Sequence, residues 1–147
     1  MKDYIVDASV VSKWLLPESD SDRARRLIAA DCGLRAPDLI MSEFASVMLK
    51  RVQRREISVE ECSELLQRFV NDYLDVRVRT VQSRLVAENA LRIAFQEKQS
   101  IYDCLYLALA VQAKCQLITA DERLVNGITS VDLRKHVVAL KDPKLKL

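Results

Sequence analysis

Short apolar runs without a charged residue constrain this chain most. "YIV" (4–6), "CQLIT" (115–119) and "HVVAL" (136–140) are too short for helices and read as buried strands. Longer stretches of helical period lie between them. "VVSKWLL" stops at Pro17, "SDRARRLIAADCG" has acids at its start and Gly33 at its end, and Asp38 can cap a long helix running to about Arg55. "SVEECSELLQRFV" opens with Ser58 and Glu61 at capping-box spacing, and "QSRLVAENALRIAFQEK" and "SIYDCLYLALAVQA" follow as helices. "LRAP" is extended, "LDVRVRT" alternates as a strand, and Asp121 begins a brief helix. Strands alternating with helices predict an α/β fold, a parallel sheet covered on both faces.

Composition narrows the function classes. Half of the 147 residues are apolar and 30% are charged, the balance of a globular domain with a real core. The net charge of +2 is too small to announce a nucleic-acid binder and too mixed to exclude one. The only two glycines, Gly33 and Gly127, leave no Gly-rich phosphate loop, which excludes P-loop NTPases and dinucleotide-binding Rossmann enzymes. Cys32, Cys62, Cys104 and Cys115 form no C-x-x-C pair and have only His136 to join them, which argues against zinc and for free thiols in a reducing cytoplasm. "MKDYIVDASVV" meets an aspartate too early for a secretory signal, and no run is long enough to span a membrane. The expectation is one cytoplasmic domain over residues 1–141, with 142–147 as a frayed, solvated tail.

Two acids stand at strand ends, where such a fold binds ligands, and two more are oddly placed on helices. Asp7 closes the first buried strand, and Asp121 lies two residues past the strand in "LITAD". Glu43 in "PDLIMSEFASVMLK" sits on the edge of an apolar stripe, where it could equally pair with Lys50. Asp103 is set into the first turn of an almost wholly apolar helix. Each has a plain structural alternative: Asp121 can be an N-cap, and Ser100 with Asp103 can be a capping box. Together they have another meaning. Two like charges ~4 Å apart repel by roughly 4 kcal/mol at a surface-like dielectric, and a divalent ion removes that penalty. Oxygen ligands without His or Cys suit Mg²⁺ or Mn²⁺, ions of phosphoryl chemistry.

In this order "IVDASVV", "APDLIMSEFASV", "SIYDCLYLALA" and "LITADERL" resemble the signature segments of a PIN domain, most closely the VapC-type toxins of bacterial toxin–antitoxin pairs. The resemblance spans nearly the whole chain. It implies a three-layer α/β/α sandwich with a parallel sheet of about five strands, and a Mg²⁺-dependent ribonuclease in which Mn²⁺ can substitute. Asp7, Glu43, Asp103 and Asp121 match the family's acidic quartet, and Ser9 and Thr119 match the hydroxyl residues beside it. The resemblance also implies RNA as substrate, an antitoxin protein as partner and a homodimer.

Lys13 and Arg123 flank the acidic segments and are candidates for holding RNA phosphates. "KRVQRR" (50–55) reads as a solvated face, Trp14 as core, and His136 as neither base nor ligand. Rival readings fare worse. A haloacid-dehalogenase-like phosphoryl-transfer domain needs a second acid where Ser9 stands, and a receiver domain needs an acidic pair beside Asp7. A non-catalytic module that keeps the fold and binds RNA or protein would not require the intact quartet.

Overall fold

The computed structural model describes residues 1–147. Strands β1 (Lys2–Val6), β2 (Cys32–Pro37), β3 (Val78–Val81), β4 (Gln116–Thr119) and β5 (Val137–Ala139) form a single sheet in the order β3-β2-β1-β4-β5. All four pairings are parallel. The helices are α1 (Ala8–Leu15), α2 (Ser21–Ala29), α3 (Ile40–Gln53), α4 (Val59–Arg68), α5 (Ala87–Glu97), α6 (Ile101–Gln112), α7 (Glu122–Gly127) and α8 (Val131–Arg134). A π-helical turn at Phe69–Tyr73 continues α4, and a 3₁₀ turn at Ser83–Leu85 precedes α5.

The strand order explains the layers. The chain steps outward from β1 to β2 to β3, then returns across the sheet to β4 and β5. Right-handed crossovers therefore put α1–α4 on one face and α5–α8 on the other, giving an α/β/α sandwich. In keeping with this, α1 packs on α2 and α3, α3 packs on α4, and α6 lies against α5, β1, β2 and β4. Helix α6 can occupy the middle of its layer because it lacks a polar face: Cys104 and every residue from Tyr106 to Ala110 are buried. No helix is long and apolar enough to cross a membrane.

The direction of strand order reverses between β1 and β4, and the carboxyl ends of those strands flank the crevice where open parallel sheets bind ligands. Val6 pairs with Ile118, so the next residues on the two strands, Asp7 and Thr119, meet side by side at that end.

Several local expectations need correction. Gly33 does not end α2, which stops at Ala29; it lies within β2 opposite Asp3. A Cβ there would fall 2.2 Å from Asp3 Oδ1, so the glycine leaves room for the Asp3 carboxylate. Asp38 does not cap α3, whose N-cap position is Leu39. Its carboxylate instead accepts the amide (3.1 Å) and hydroxyl of Ser83, fastening the start of α3 to the loop after β3. In "LDVRVRT" only the end from Val78 is strand, and Arg77 turns back to donate to the carbonyls of Ile28, Ala30 and Cys32. Residues 142–147 are pinned rather than frayed: Leu145 is buried, and Arg23 donates to the carbonyls of Leu140, Asp142 and Leu145. The capping box of Ser58 and Glu61 is present as expected. Trp14 is core, stacked on Tyr73 with its indole N–H bonded to the Ala24 carbonyl at 2.9 Å.

Candidate active site

The four acids come from four different helix starts. Asp7 is the N-cap of α1, Asp121 is the N-cap of α7, and Glu43 and Asp103 lie in the first turns of α3 and α6. Unpaired amides and the positive end of the helix dipole both favour a carboxylate at such positions. Asp121 does cap its helix: its Oδ1 accepts the Arg123 amide at 3.0 Å, and its charge also reaches Asp103. For Asp103 the capping alternative holds only in part. The Ser100 hydroxyl accepts the Asp103 amide at 3.1 Å, but the Asp103 carboxylate makes no return bond to the Ser100 amide.

Asp7 is the most tightly held. Its Oδ1 accepts the amides of Ser9 (3.0 Å) and Val10 (3.3 Å) and the Ser9 hydroxyl, while Oδ2 accepts the Thr119 hydroxyl. Each hydroxyl also receives a backbone amide from the turn after β4: Ala120 bonds to Ser9 Oγ at 2.9 Å and Asp121 to Thr119 Oγ1 at 3.0 Å. Ser9 and Thr119 therefore relay the position of one acid to the loop that carries another.

The acids lie within one another's fields: Asp103 acts on Asp7, both act on Glu43, and Asp121 acts on Asp103. Burial pushes the Asp7 carboxyl up to about 6; the bonds from Ser9, Thr119 and Val10 oppose the rise, and the charge of Asp103 adds to it. Burial pushes Glu43 up to about 7, helped by the charges of Asp7 and Asp103 and opposed by Lys50. Asp103 is also raised by burial; the Ser100 hydroxyl and Arg123 pull it down, and Asp121 pushes it up. A structural pairing of Glu43 with Lys50 is not what the structure shows. The two form no salt bridge, and Glu43 Oε1 is buried without a hydrogen-bond partner.

These donors fit a hard divalent cation. All are carboxylate oxygens, they crowd negative charge together, and one of them is buried and unpartnered. As they stand, no three His, Cys, Asp or Glu side chains are drawn closely enough together to ligate one ion.

The flanking cations divide. Arg123 is almost fully exposed, with its Nε 3.7 Å from Asp121 Oδ1, and is free to meet a ligand. Lys13 is buried; its Nζ donates to the Ser19 carbonyl at 2.8 Å and pairs with Glu18 at 3.3 Å, so it braces the loop after α1. Glu18 also binds Arg51, which reaches Glu56 at 3.0 Å, tying part of the basic "KRVQRR" segment into structure. His136 bonds through Nδ1 to the Cys115 carbonyl at 2.8 Å and takes no part in the site.

Sequence reasoning missed Tyr106. It is 1% exposed, its hydroxyl has no hydrogen-bond partner, and its phenol is raised by burial and by the charges of Glu43, Asp7 and Asp103. Its spacing of three from Asp103 along α6 was the available signal. Within a helix so apolar, a tyrosine reads as one more core residue.

Comparison with known proteins bears on the family and the fold. Residues 4–127 match the PIN domain. The chain is 32% identical over 120 residues to ribonuclease VapC9 of Mycobacterium tuberculosis, covering 82% of this chain and 87% of that one. Among solved structures it is similar to PAE2754 from Pyrobaculum aerophilum, with a TM-score of 0.65 and 16% identity over 95% of this chain and 91% of that one. It is similar also to VapBC2 from Rickettsia felis, solved bound to a DNA fragment from its promoter, with a TM-score of 0.62 and 11% identity over 93% and 98% of the two chains. The five-stranded parallel sheet and the family match over most of the chain lead to one conclusion: this chain belongs to the PIN domain family.

Proposed function

We propose that the chain is a metal-dependent RNA endonuclease, the toxin of a toxin–antitoxin pair, acting through Asp7, Glu43, Asp103 and Asp121. The observation that carries this reading is the buried, unpartnered Glu43 Oε1 among acids whose charges oppose one another. A side chain placed at such cost without a structural partner has its role with a ligand. The similarity to a VapC ribonuclease supplies the substrate class, and the similarity to VapBC2 supports an antitoxin partner.

Asp7, Glu43, Asp103 and Asp121 would hold Mg²⁺ or Mn²⁺. When bound, such an ion supplies Lewis acidity toward the phosphate and lowers the pKa of water. The chain's own groups do the rest. Ser9 and Thr119 keep the Asp7 carboxylate ionised and fixed in orientation by donating to both of its oxygens. Arg123 reaches from the start of α7 to an RNA phosphate beside the acids. Lys13 acts from behind, shaping the loop next to Thr119 through Ser19 and Glu18. The resemblance extends this reading to a homodimer.

The test is incubation of the pure protein with structured RNA, with Mg²⁺, with Mn²⁺ and with excess chelator. Cleavage with either ion and none with chelator is the expected result. Cleavage undiminished by chelator overturns the metal dependence. Metal-replete protein that binds RNA without cutting it identifies a non-catalytic PIN module instead.

A further inference from the structure

A cavity of about 250 Å³ lies at the carboxyl ends of β4 and β5, between Lys13, Asp20, Thr119, Ala120, Glu122 and Lys141. It adjoins the acids through one residue: Thr119 lines it while donating its hydroxyl to Asp7, and Asp121 directly follows Ala120. Distant parts of the chain build its walls. The Leu140 amide bonds to the Thr119 carbonyl at 2.7 Å, and Arg23 holds the carbonyls of Leu140, Asp142 and Leu145, which fixes the segment carrying Lys141. Lys13 Nζ donates to the Ser19 carbonyl at 2.8 Å and so fixes the loop carrying Asp20. Pockets for drug-sized ligands measure roughly 300–1,000 Å³, so this one suits a single small group such as a nucleobase.

Its charged groups are unequally occupied. Lys141 pairs with Glu122 at 2.8 Å, which uses one of the three donors of its ammonium. Asp20 is the N-cap residue of α2, yet its carboxylate makes no capping bond, and the salt bridges nearby run through Asp22 and Glu122 instead. Ser21 closes that turn, accepting the Glu18 amide at 2.8 Å and donating to the Leu16 carbonyl at 2.9 Å. The Asp20 carboxylate is therefore spare, and it borders the cavity beside a lysine with donors left over.

We propose that this cavity is a base-recognition subsite that takes the guanine of a nucleotide next to the scissile phosphate, Asp20 accepting from N1–H and the 2-amino group and Lys141 donating to O6. The place beside the scissile phosphate rests on the ribonuclease reading above, whereas the affinity for guanine does not. Single-stranded RNA is read on the Watson–Crick edges of its bases. On that edge guanine sets two donors side by side next to a carbonyl oxygen, which matches a carboxylate beside an ammonium. Adenine and cytosine offer one donor group next to an acceptor, and uracil one donor between two acceptors. None of these engages both oxygens of Asp20 at once.

The experiment titrates the isotope-labelled full chain, in chelator, with guanosine, inosine, adenosine and uridine monophosphates and follows the backbone amide signals by NMR. Guanosine monophosphate is expected to move the amides of Asp20, Ala120 and Lys141 and to bind about tenfold more tightly than the adenosine or uridine compound. Inosine, which lacks only the 2-amino group, should fall between them. Asp20→Asn keeps a side chain that tolerates the left-handed backbone at this position (φ 64°) and removes the charge and one acceptor. It should weaken guanosine binding about tenfold and leave adenosine binding within about twofold of wild type. No movement of these amides at millimolar guanosine monophosphate overturns the subsite, equal affinities for the four nucleotides overturn the guanine assignment, and an Asp20→Asn protein that binds as wild type does overturns the role of Asp20. A second arm compares RNA cleavage by wild type and Asp20→Asn, with Mg²⁺, on strands carrying guanine or inosine beside the cut; a preference for guanine that the variant loses is the expected result. Cleavage indifferent to that base, with guanosine monophosphate still bound, assigns the cavity to a free nucleotide and overturns its role in the substrate. Should wild type cut no RNA with either ion, the ribonuclease reading falls and the place beside the scissile phosphate with it, while the titration still decides whether the cavity takes guanine.

Discussion

Thr119 donates its hydroxyl to Asp7 Oδ2 and, through the same oxygen, accepts the amide of Asp121 at 3.0 Å. One small side chain thereby couples the acid at the end of β1 to the acid at the start of α7. Replacing Thr119 by Val keeps the shape and removes both bonds. The Thr119 hydroxyl holds the Asp7 carboxyl down against burial, so its loss lets that carboxyl rise further above about 6. The expected outcome is cleavage reduced about tenfold near neutral pH, with the acidic limb of the pH–rate profile moved to higher pH. An unshifted profile would mean that the hydroxyl only closes a turn.

Glu43 makes a prediction about stability. Its carboxyl stands at about 7 in the folded protein against an ordinary 4.5, so between these values the native state binds more protons than the unfolded chain. Native stability of the metal-free protein therefore falls as pH rises through that window. Glu43→Gln removes this contribution. Melting curves in chelator should show the variant gaining on wild type between about pH 5 and about pH 8, while its RNA cleavage drops at least about tenfold. A constant difference across the window would show an unburdened surface glutamate.

Asp103→Asn separates a helix start from a site. The Ser100 hydroxyl already caps the Asp103 amide, so the carboxylate is not needed to close the turn. Removing its charge relieves Asp7 and Glu43, both of which it pushes upward. Metal-free stability should stay level or rise, cleavage should collapse, and Mg²⁺ should stabilise the variant less than wild type. Paired melts with and without Mg²⁺ check this, and a less stable but fully active variant would refute it.

Glu97 behaves in the opposite way because its partners are complete. At the end of α5 its carboxylate accepts the Thr129 amide (2.9 Å), the Thr129 hydroxyl (2.8 Å) and the Ser130 amide (3.0 Å), which hold it below the ordinary carboxylate range. A depressed carboxyl stabilises the fold above its unfolded pKa, and this contribution is lost as pH falls through the folded value. Glu97→Ala should cost about 1–3 kcal/mol near neutral pH, with the gap narrowing in acid. RNA cleavage by the folded variant should be close to that of wild type.

The sheet and most helices were legible because strand and helix have different apolar periods and the caps have distinctive chemistry. Asp7 and Asp121 could be found for the same reason, since a strand end is visible in sequence. Glu43 and Asp103 stand out only as acids on apolar helices, and each keeps a plain structural alternative until the family resemblance is added. The errors have a common cause. Gly33 answers to Asp3 across the sheet, Asp38 to Ser83, and Leu145 packs into the core of a chain whose end Arg23 secures. None of those partners lies within the window over which a local pattern is read. Tyr106 was hidden differently, by resembling every neighbour on its helix.

The relays at Ser9 and Thr119 also bear on synthesis. They bridge 111 and 112 residues, joining the end of β1 and the start of α1 to the end of β4. Until Thr119 and Ala120 have been made, Asp7 has only its local partners Ser9 and Val10, and the bonds that join it to the loop carrying Asp121 do not yet exist. Local helices can form early, whereas this long-range pairing must wait for β4 to enter the sheet. A chain terminated before Thr119 thus carries Asp7, Glu43 and Asp103 without the long-range bonds that orient Asp7.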